Sequence, residues 1–563
     1  MITNTKTGTP KNQPNAYLPI LFSLLKLRLK YREFSSPVSV ILENSVTAYR
    51  SHVSKPMSVL IWFICQAKPQ NCRHNVLMNR NVISLLLARV VLLGCVTLSA
   101  HADALPPEWL RALNEAGIPL TDVAVVIQPV EASQPILAHR AGQPMNPASV
   151  MKLLTSLVAL EKLGPVFVWK TEIWAAGEIR NRTLIGDLII KGYGDPTLTL
   201  ERMWLLQREI RARGIDAIQG DLILDTQYFA LPELDAGALD GEPLAVYNAL
   251  PGALLANYNA TTVKLKPVND TVQITPDLEM GGLAVVSRLA PDEGECGDWK
   301  DRLSPIKLDA VQNALIFEGR YARSCGEKQL HLNVFAPPRH FDLTFRALWK
   351  ETGGTLTGSA LMGTAPTDTP HWMSFASIPL AEALRNQNKY SNNLMTRNLF
   401  LTLGATQGGA PATLEKSTQA VRSWLTEKHI PAPELVLENG AGLSRTERIS
   451  AQTLVRVLQA AYASPYFSEF ESSLPIFGVD GTLRRRVAEP ALKGQAHLKT
   501  GTLQDVRTLA GYVLNRDGKR MVFVMMINHP NAERAELAQH ALLAWTYAYH
   551  PATAPARARR GKK

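Results

Sequence analysis

The hydrophobic pattern of this 563-residue chain changes type twice. Apolar residues recur at helical spacing over 146–164. They do so again after Ile378, through Leu384, Leu394 and Leu399 and then over 421–425. Between about Val168 and His371 the pattern is one of short strands separated by Gly, Pro and Asp turns, with 183–191 and 217–224 as examples. The stretch 146–164 has helix punctuation: Asn146 as a possible cap, Pro147 in the first turn and Gly164 as the stop. A strand over 121–130 (Val123, Val125, Val126, Ile127) and a shorter one over 135–139 precede it. Strands at 496–500, 508–514 and 520–527 follow near the other end, the last two joined by the turn Asn515-Arg516-Asp517-Gly518-Lys519, and 533–549 reads as a closing amphipathic helix. Helices and strands at the two ends need each other to bury their apolar faces. The expectation is one α/β domain split by a large insertion. No 20–50-residue repeat is present, which excludes solenoids and propellers.

The net charge of +11 invites a nucleic-acid reading until it is located. Residues 1–102 hold 12 basic and 2 acidic residues, whereas 103–550 hold 43 basic and 47 acidic. A nucleic-acid footprint requires basic residues clustered on the folded body, so no nucleic-acid partner is expected. The basic segment has another explanation. Met78-Asn79-Arg80-Asn81 is a short basic start, Val90–Val96 continues an apolar run interrupted by Arg89, and Ala100-His101-Ala102 supplies a small-x-small cleavage site. Residues 78–102 are therefore expected to be a secretory signal peptide, which places the mature chain in the periplasm. A membrane anchor is the weaker reading, because the run falls short of the ~20 residues needed to span; at most peripheral membrane contact is expected. Leu92-Leu93-Gly94-Cys95 resembles a lipobox and leaves open a lipid-anchored chain starting at Cys95. Because a signal sits at the true N-terminus, residues 1–77 are expected to belong to an over-extended gene start. The tail 551–563, with five basic residues, is expected to be disordered. Of five cysteines the mature body keeps Cys296 and Cys325, and in an oxidising compartment a disulfide is expected over two free thiols. No Cys-x-x-Cys or His-rich spacing suggests a metal.

Three short motifs carry chemistry. Ser149 and Lys152 are three apart at the start of a helix pattern, which puts both side chains on one face near free backbone N–H groups. A serine hydroxyl is a poor nucleophile unless a base takes its proton, and a buried lysine can serve. Ser391-Asn392-Asn393 lies between two helical patterns, where a hydroxyl and two amides could line a cleft or Ser391 could be a simple N-cap. Lys499-Thr500-Gly501-Thr502 ends a strand with a cation, hydroxyls and a glycine that admits a ligand to the backbone, features suited to a carboxylate. Each spelling alone is common: S-x-x-K recurs at Ser23–Lys26 and Ser304–Lys307, and K-T-G at Lys6–Gly8. The repeats fail on order or setting, since two precede the signal peptide and the third contains Pro305. Asp195 in Gly192-Tyr193-Gly194-Asp195-Pro196 reads as turn chemistry before it reads as an acid catalyst. No G-x-S-x-G elbow and no H-E-x-x-H occurs.

In the order S-x-x-K, S-x-N, K-T-G the three motifs resemble those of penicillin-binding proteins. Across about 103–550 the chain resembles the class C, low-molecular-mass members, serine-type D-alanyl-D-alanine carboxypeptidases and endopeptidases. Gly192–Leu198, Asn439–Arg445, Gly478–Leu483 and Leu509–Tyr512 match further segments of that family, with Asn392, Asn439 and Ala441 as small departures. The roughly 240 residues from Lys152 to Ser391 fit the insertion of this class. The resemblance implies an α+β penicillin-binding/β-lactamase-like domain, an antiparallel sheet flanked by helices, formed by 103–170 and 372–550 and split by a β-rich insertion at 171–371. It implies Ser149 as nucleophile, Lys152 as base, Ser391 as proton relay and Asn393 as a substrate contact. Lys499, Thr500, Gly501 and Thr502 would bind the substrate carboxylate, and the backbone N–H groups of Ser149 and Thr502 would form an oxyanion hole. Peptidoglycan stem peptides and cross-links are the implied substrates, β-lactams the implied inhibitors, and no cofactor is implied. A β-lactam-hydrolysing or esterase-like enzyme and a catalytically silent wall-binding protein are the alternatives.

Overall fold

The computed structural model describes residues 105–303, 305–486 and 490–550. The expected extension 1–77, signal peptide 78–102 with Cys95, and tail 551–563 lie outside the described residues.

A five-stranded antiparallel sheet joins the two ends of the chain. Its strands run in the order Ala496–Leu503, Val506–Leu514, Arg520–Asn528, Val123–Pro129, Leu137–His139. The seam between early and late sequence is the pairing of Val123–Pro129 with Arg520–Asn528, from Val123↔Ile527 to Pro129↔Met521. Both strands are buried at nearly every position, because helices cover both faces of the sheet. Successive side chains therefore enter different cores. Ala124, Val126, Val522, Val524 and Met526 face the helices Lys152–Leu163 and Ala451–Ala463. Val123, Val125, Ile127, Phe523 and Met525 face Trp109 of the helix Pro107–Glu115 and Leu542 and Leu543 of Glu536–Ala548. Each fully buried aliphatic side chain contributes about 2 kcal/mol. A one-residue slip would exchange the two sets, so the register is firmly specified.

Two details differ from the sequence expectation. Ala148–Met151 forms a 3-10 turn, and the α-helix begins only at Lys152. Ala148 stands at φ 45°, which no α-helical residue adopts, so the α geometry starts beyond it. Asn146 caps nothing in the helix; its side chain accepts from Ala148 N–H at 2.9 Å instead. Gly164 does end the helix, at φ 83°.

The chain then leaves for a mixed seven-stranded sheet built from Lys170–Arg180, Thr183–Gly192, Ala217–Ile218, Leu222–Asp225, Thr355–Leu356, Ala360–Met362 and Met373–Ala376. The first and last of these pair antiparallel, so the excursion starts and finishes side by side. The stretch 217–224 is two strands rather than one. The region is also less purely β than its turn content suggests. Helices Leu200–Ala212 and Pro337–Glu351 pack Met203, Leu206, Ile210, Phe341, Phe345 and Trp349 onto this sheet. In the first helix the exposed Trp204 and Leu205 blur the 3.6 period. Two three-stranded sheets complete the excursion around a smaller apolar core. Among the described residues no helix is long and apolar enough to cross a membrane.

Candidate active site

Ser149 sits on the 3-10 turn that leads into the helix Lys152–Leu163. In such a turn residues three apart eclipse one another. The spacing therefore brings Lys152 Nζ to 2.8 Å from Ser149 Oγ. The sheet holds the turn in place. Asn528 exchanges two hydrogen bonds with the Asn146 backbone, at 2.7 and 3.0 Å, and Thr508 Oγ1 donates to the Pro147 carbonyl at 2.7 Å. Two glycines permit the close approach. A Cβ at Gly442 would lie 1.7 Å from the Ala148 carbonyl oxygen, and one at Gly501 would lie 2.6 Å from that of Pro147.

Lys152 is fully buried, and its amine faces three oxygens: Ser149 Oγ, Asn393 Oδ1 at 2.7 Å and the Ala441 carbonyl at 2.6 Å. Burial, then the charge of Lys499, holds its pKa well below the ordinary lysine value, with Glu447 pulling the other way. A neutral amine has two N–H donors and one lone pair. Asn393 Oδ1 and the Ala441 carbonyl can only accept, so in the neutral form they would take both N–H groups and leave the lone pair for the Ser149 hydroxyl, whereas the protonated amine donates to all three oxygens. The Asn393 amide is oriented in turn by its Nδ2, which donates to the Tyr247 carbonyl at 3.0 Å.

Ser391-Asn392-Asn393 occupies the turn between the helices Leu380–Lys389 and Asn393–Gly408. The N-cap is Asn392, whose Oδ1 accepts from Met395 N–H at 3.0 Å. Ser391, at φ 56°, is thus not the cap. Its hydroxyl accepts from Lys499 Nζ at 2.7 Å, and Lys499 also donates to the Thr500 carbonyl at 2.8 Å. Lys499 is fully buried, which pushes its pKa down to about 7. Thr500 Oγ1 lies 2.9 Å from Thr482 Oγ1.

The structure thus brings together all eight residues singled out from the motifs. Ser149, Ser391, Asn393, Thr500 and Thr502 line a cleft of about 530 Å³, with Lys152, Lys499 and Gly501 directly behind them. Other walls of the cleft were not singled out. Asp240 and Tyr247 arrive from the excursion between Lys170 and Ala376, with no local spacing to announce them. Arg445 and Thr482 also line it, and both fall within segments that already carried the family resemblance. Asp195 serves its turn: its Oδ1 accepts from Thr197 N–H and Oγ1, both at 2.7 Å. Cys296 and Cys325 have Cα atoms 4.7 Å apart, within the range of a disulfide.

Residues 111–549 match the D-Ala-D-Ala carboxypeptidase 3 (S13) family, and the chain belongs to that family of serine-type peptidases. It is 26% identical to the D-alanyl-D-alanine carboxypeptidase DacB of Haemophilus influenzae, over 72% of this chain and 85% of that one. It is 29% identical to the D-alanyl-D-alanine carboxypeptidase of Actinomadura sp. (strain R39), over 78% and 84%. The crystal structure of penicillin binding protein 4 (dacB) from Haemophilus influenzae superposes with a TM-score of 0.67 at 25% identity, covering 78% of this chain and 99% of that one. A second structure of it, complexed with a β-lactam, gives a TM-score of 0.63 at 25% identity, over 78% and 100%. The fold is accordingly that of a low-molecular-mass penicillin-binding protein with a large insertion.

Proposed function

We propose that this protein is a periplasmic D-alanyl-D-alanine carboxypeptidase that also cleaves peptidoglycan cross-links as a DD-endopeptidase, and that β-lactams acylate it at Ser149. The observation that carries the reading is the environment of Lys152, a buried amine 2.8 Å from Ser149 Oγ whose other two partners can only accept, so that its neutral form would turn the lone pair to the Ser149 hydroxyl. The β-lactam complex of the Haemophilus relative supports the inhibitor assignment. Residues 103–170 and 372–550 would form the catalytic domain and 171–371 the inserted one.

In this reading Lys152 takes the Ser149 proton as Oγ bonds to the carbonyl carbon of the penultimate D-Ala. Ser149 and Thr502 N–H groups receive the oxyanion, each worth about 3 kcal/mol in the transition state. The C–N bond then breaks, and the leaving amine takes the proton held by Lys152; Ser391, whose hydroxyl here accepts from Lys499 and not from Lys152, relays it after turning toward Lys152. Asn393 contacts the substrate backbone. Protonated Lys499, with Thr500 and Thr502, binds the terminal carboxylate, and Gly501 lets that carboxylate approach. Water, deprotonated by Lys152, hydrolyses the ester and restores the Ser149 hydroxyl.

The test is the intact mass of 103–563 after incubation with benzylpenicillin, beside Ser149→Ala. A lasting adduct on the wild type alone is the expected result. No adduct with intact drug would point to a silent wall-binding protein, and no adduct with destroyed drug to a β-lactamase. Release of monomers from purified muropeptide dimers tests the endopeptidase activity.

A further inference from the structure

Three successive backbone N–H groups point at one oxygen beside the site. Those of Glu438, Asn439 and Gly440 donate to Glu447 Oε1 at 3.0, 2.9 and 3.0 Å. Consecutive N–H groups that converge in this way make an anion cradle. Its occupant, Glu447, is fully buried, and its Oε2 is buried with no hydrogen-bond partner among the described residues. One oxygen therefore meets the geometric need, and the other has no bonding task.

The cradle leads directly to the base. Its next residue is Ala441, whose carbonyl receives Lys152 Nζ at 2.6 Å. Asn439 stiffens the turn, with Oδ1 accepting from Ala441 N–H at 2.9 Å and Nδ2 donating to the Leu443 carbonyl at 2.8 Å. Thr155 Oγ1, one helical turn beyond Lys152, donates to the Gly440 carbonyl at 2.6 Å and ties the cradle to the same helix. Without an acceptor at its centre, the three N–H groups of this turn would lose their shared partner, and that of Gly440 would be left buried and unpaired.

We propose that Glu447 is a positioning residue for Lys152, placing the amine through the 438–441 turn and supplying a buried negative charge that favours its protonated form. The inference rests on the reading of Lys152 as the base. The surrounding charges are few. Lys499, from the strand Ala496–Leu503, opposes protonation of Lys152, and Glu447 favours it. Glu438, on the cradle itself, repels the Glu447 carboxylate, and Arg397 of the helix Asn393–Gly408 attracts Glu438. Burial outweighs the three cradle N–H groups and holds the Glu447 pKa above the ordinary carboxylate value. The charges that act on Lys152 are therefore Lys499 and Glu447, both through space, since neither is hydrogen-bonded to the amine.

The experiment is the pH profile of acylation by benzylpenicillin, read as adduct mass against time, for the wild type, Glu447→Gln and Glu447→Asp. Glutamine keeps an oxygen for the cradle and removes the charge. Its acid limb is expected to move to lower pH by about one unit, because the amine loses its counter-charge and deprotonates earlier. A glutamine limb at the wild-type position would overturn the proposal. Aspartate keeps the charge but shortens the reach, so the limb is expected to stay while the plateau rate falls at least tenfold. Should the glutamine variant not fold, an aspartate plateau within twofold of wild type overturns the proposal on its own. An absent adduct on the wild type instead removes the Ser149 reading beneath it, and the two failures are distinguishable.

Discussion

Lys499 Nζ donates to the Ser391 hydroxyl across 2.7 Å, linking the sheet edge to the turn between two helices. The two residues are 108 positions apart. The bond assigns Ser391 to Lys499, and Lys152 meets Asn393 instead. Two buried lysines thus divide the cleft, one behind Ser149 and one behind Ser391 and Thr500.

That division predicts opposite protonation demands. In the proposed mechanism Lys152 must be neutral to accept the Ser149 proton, and Lys499 must be charged to bind a carboxylate. With Lys499 held at about 7 by burial, kcat/KM for a carboxylate-terminated substrate should fall as pH rises through about 7. A bound carboxylate favours the charged lysine, so the same limb should lie higher in kcat. A substrate with its terminal carboxylate amidated should lack the limb. An alkaline limb of equal position for both substrates would sink the assignment.

The same lysine has a signature in stability. Its folded pKa lies below the unfolded value of roughly 10.4. Between those values the unfolded chain binds the proton and the folded chain does not, so this group makes unfolding harder as pH rises from about 7 to 10. Below about 7 both states are protonated and the slope vanishes. Lys499→Met should remove that slope, which urea melts at several pH values will detect.

Lys152→Arg should cost acylation a factor of about 10³. A guanidinium stays protonated and cannot act as base, and general-base assistance is typically worth 10²–10⁴. Adduct formation with benzylpenicillin measures it; a loss under tenfold would contradict a base role for Lys152.

Gly442→Ala should be the most damaging small substitution near the site. Its Cβ would meet the Ala148 carbonyl oxygen at 1.7 Å, and φ is +76°. The left-handed conformation alone costs about 1–2 kcal/mol, and the clash displaces the turn that carries Ser149. Both a lower Tm and slower acylation are expected. An unchanged adduct rate would show that the turn is not held from this side.

Replacing Cys296 and Cys325 together by alanine should lower stability by about 3–4 kcal/mol. The sequence separation is 29, and closing a loop of that size removes comparable entropy from the unfolded chain. Intact mass before and after alkylation under non-reducing conditions checks the bond itself; two alkylated thiols would refute it.

Much of this molecule was legible before any coordinates. The strands at 121–130 and 520–527 are near-continuous apolar runs, since both faces of the sheet are buried. The three motifs stood out because nucleophile, base and carboxylate pocket each demand a particular residue type at short spacing. Helix Leu200–Ala212 was not legible, because Trp204 and Leu205 are exposed on it and its apolar stripe is diluted. Nor was the 3-10 turn at Ala148–Met151, which depends on Thr508 and Asn528 gripping it from the sheet.

Local chemistry therefore determined the family, the sheet strands and the motif residues that converge on the cleft, since each is written in neighbouring residues. Tertiary structure alone decided which lysine meets which serine, that Asn392 rather than Ser391 caps the helix, and that Tyr247 orients Asn393. It also decided that a carboxylate at Glu447 sits behind the Ala441 turn. These pairings join residues from separate elements, and hydrogen bonds between them form only once burial has brought the elements together. Spacing along the chain carries no record of that proximity.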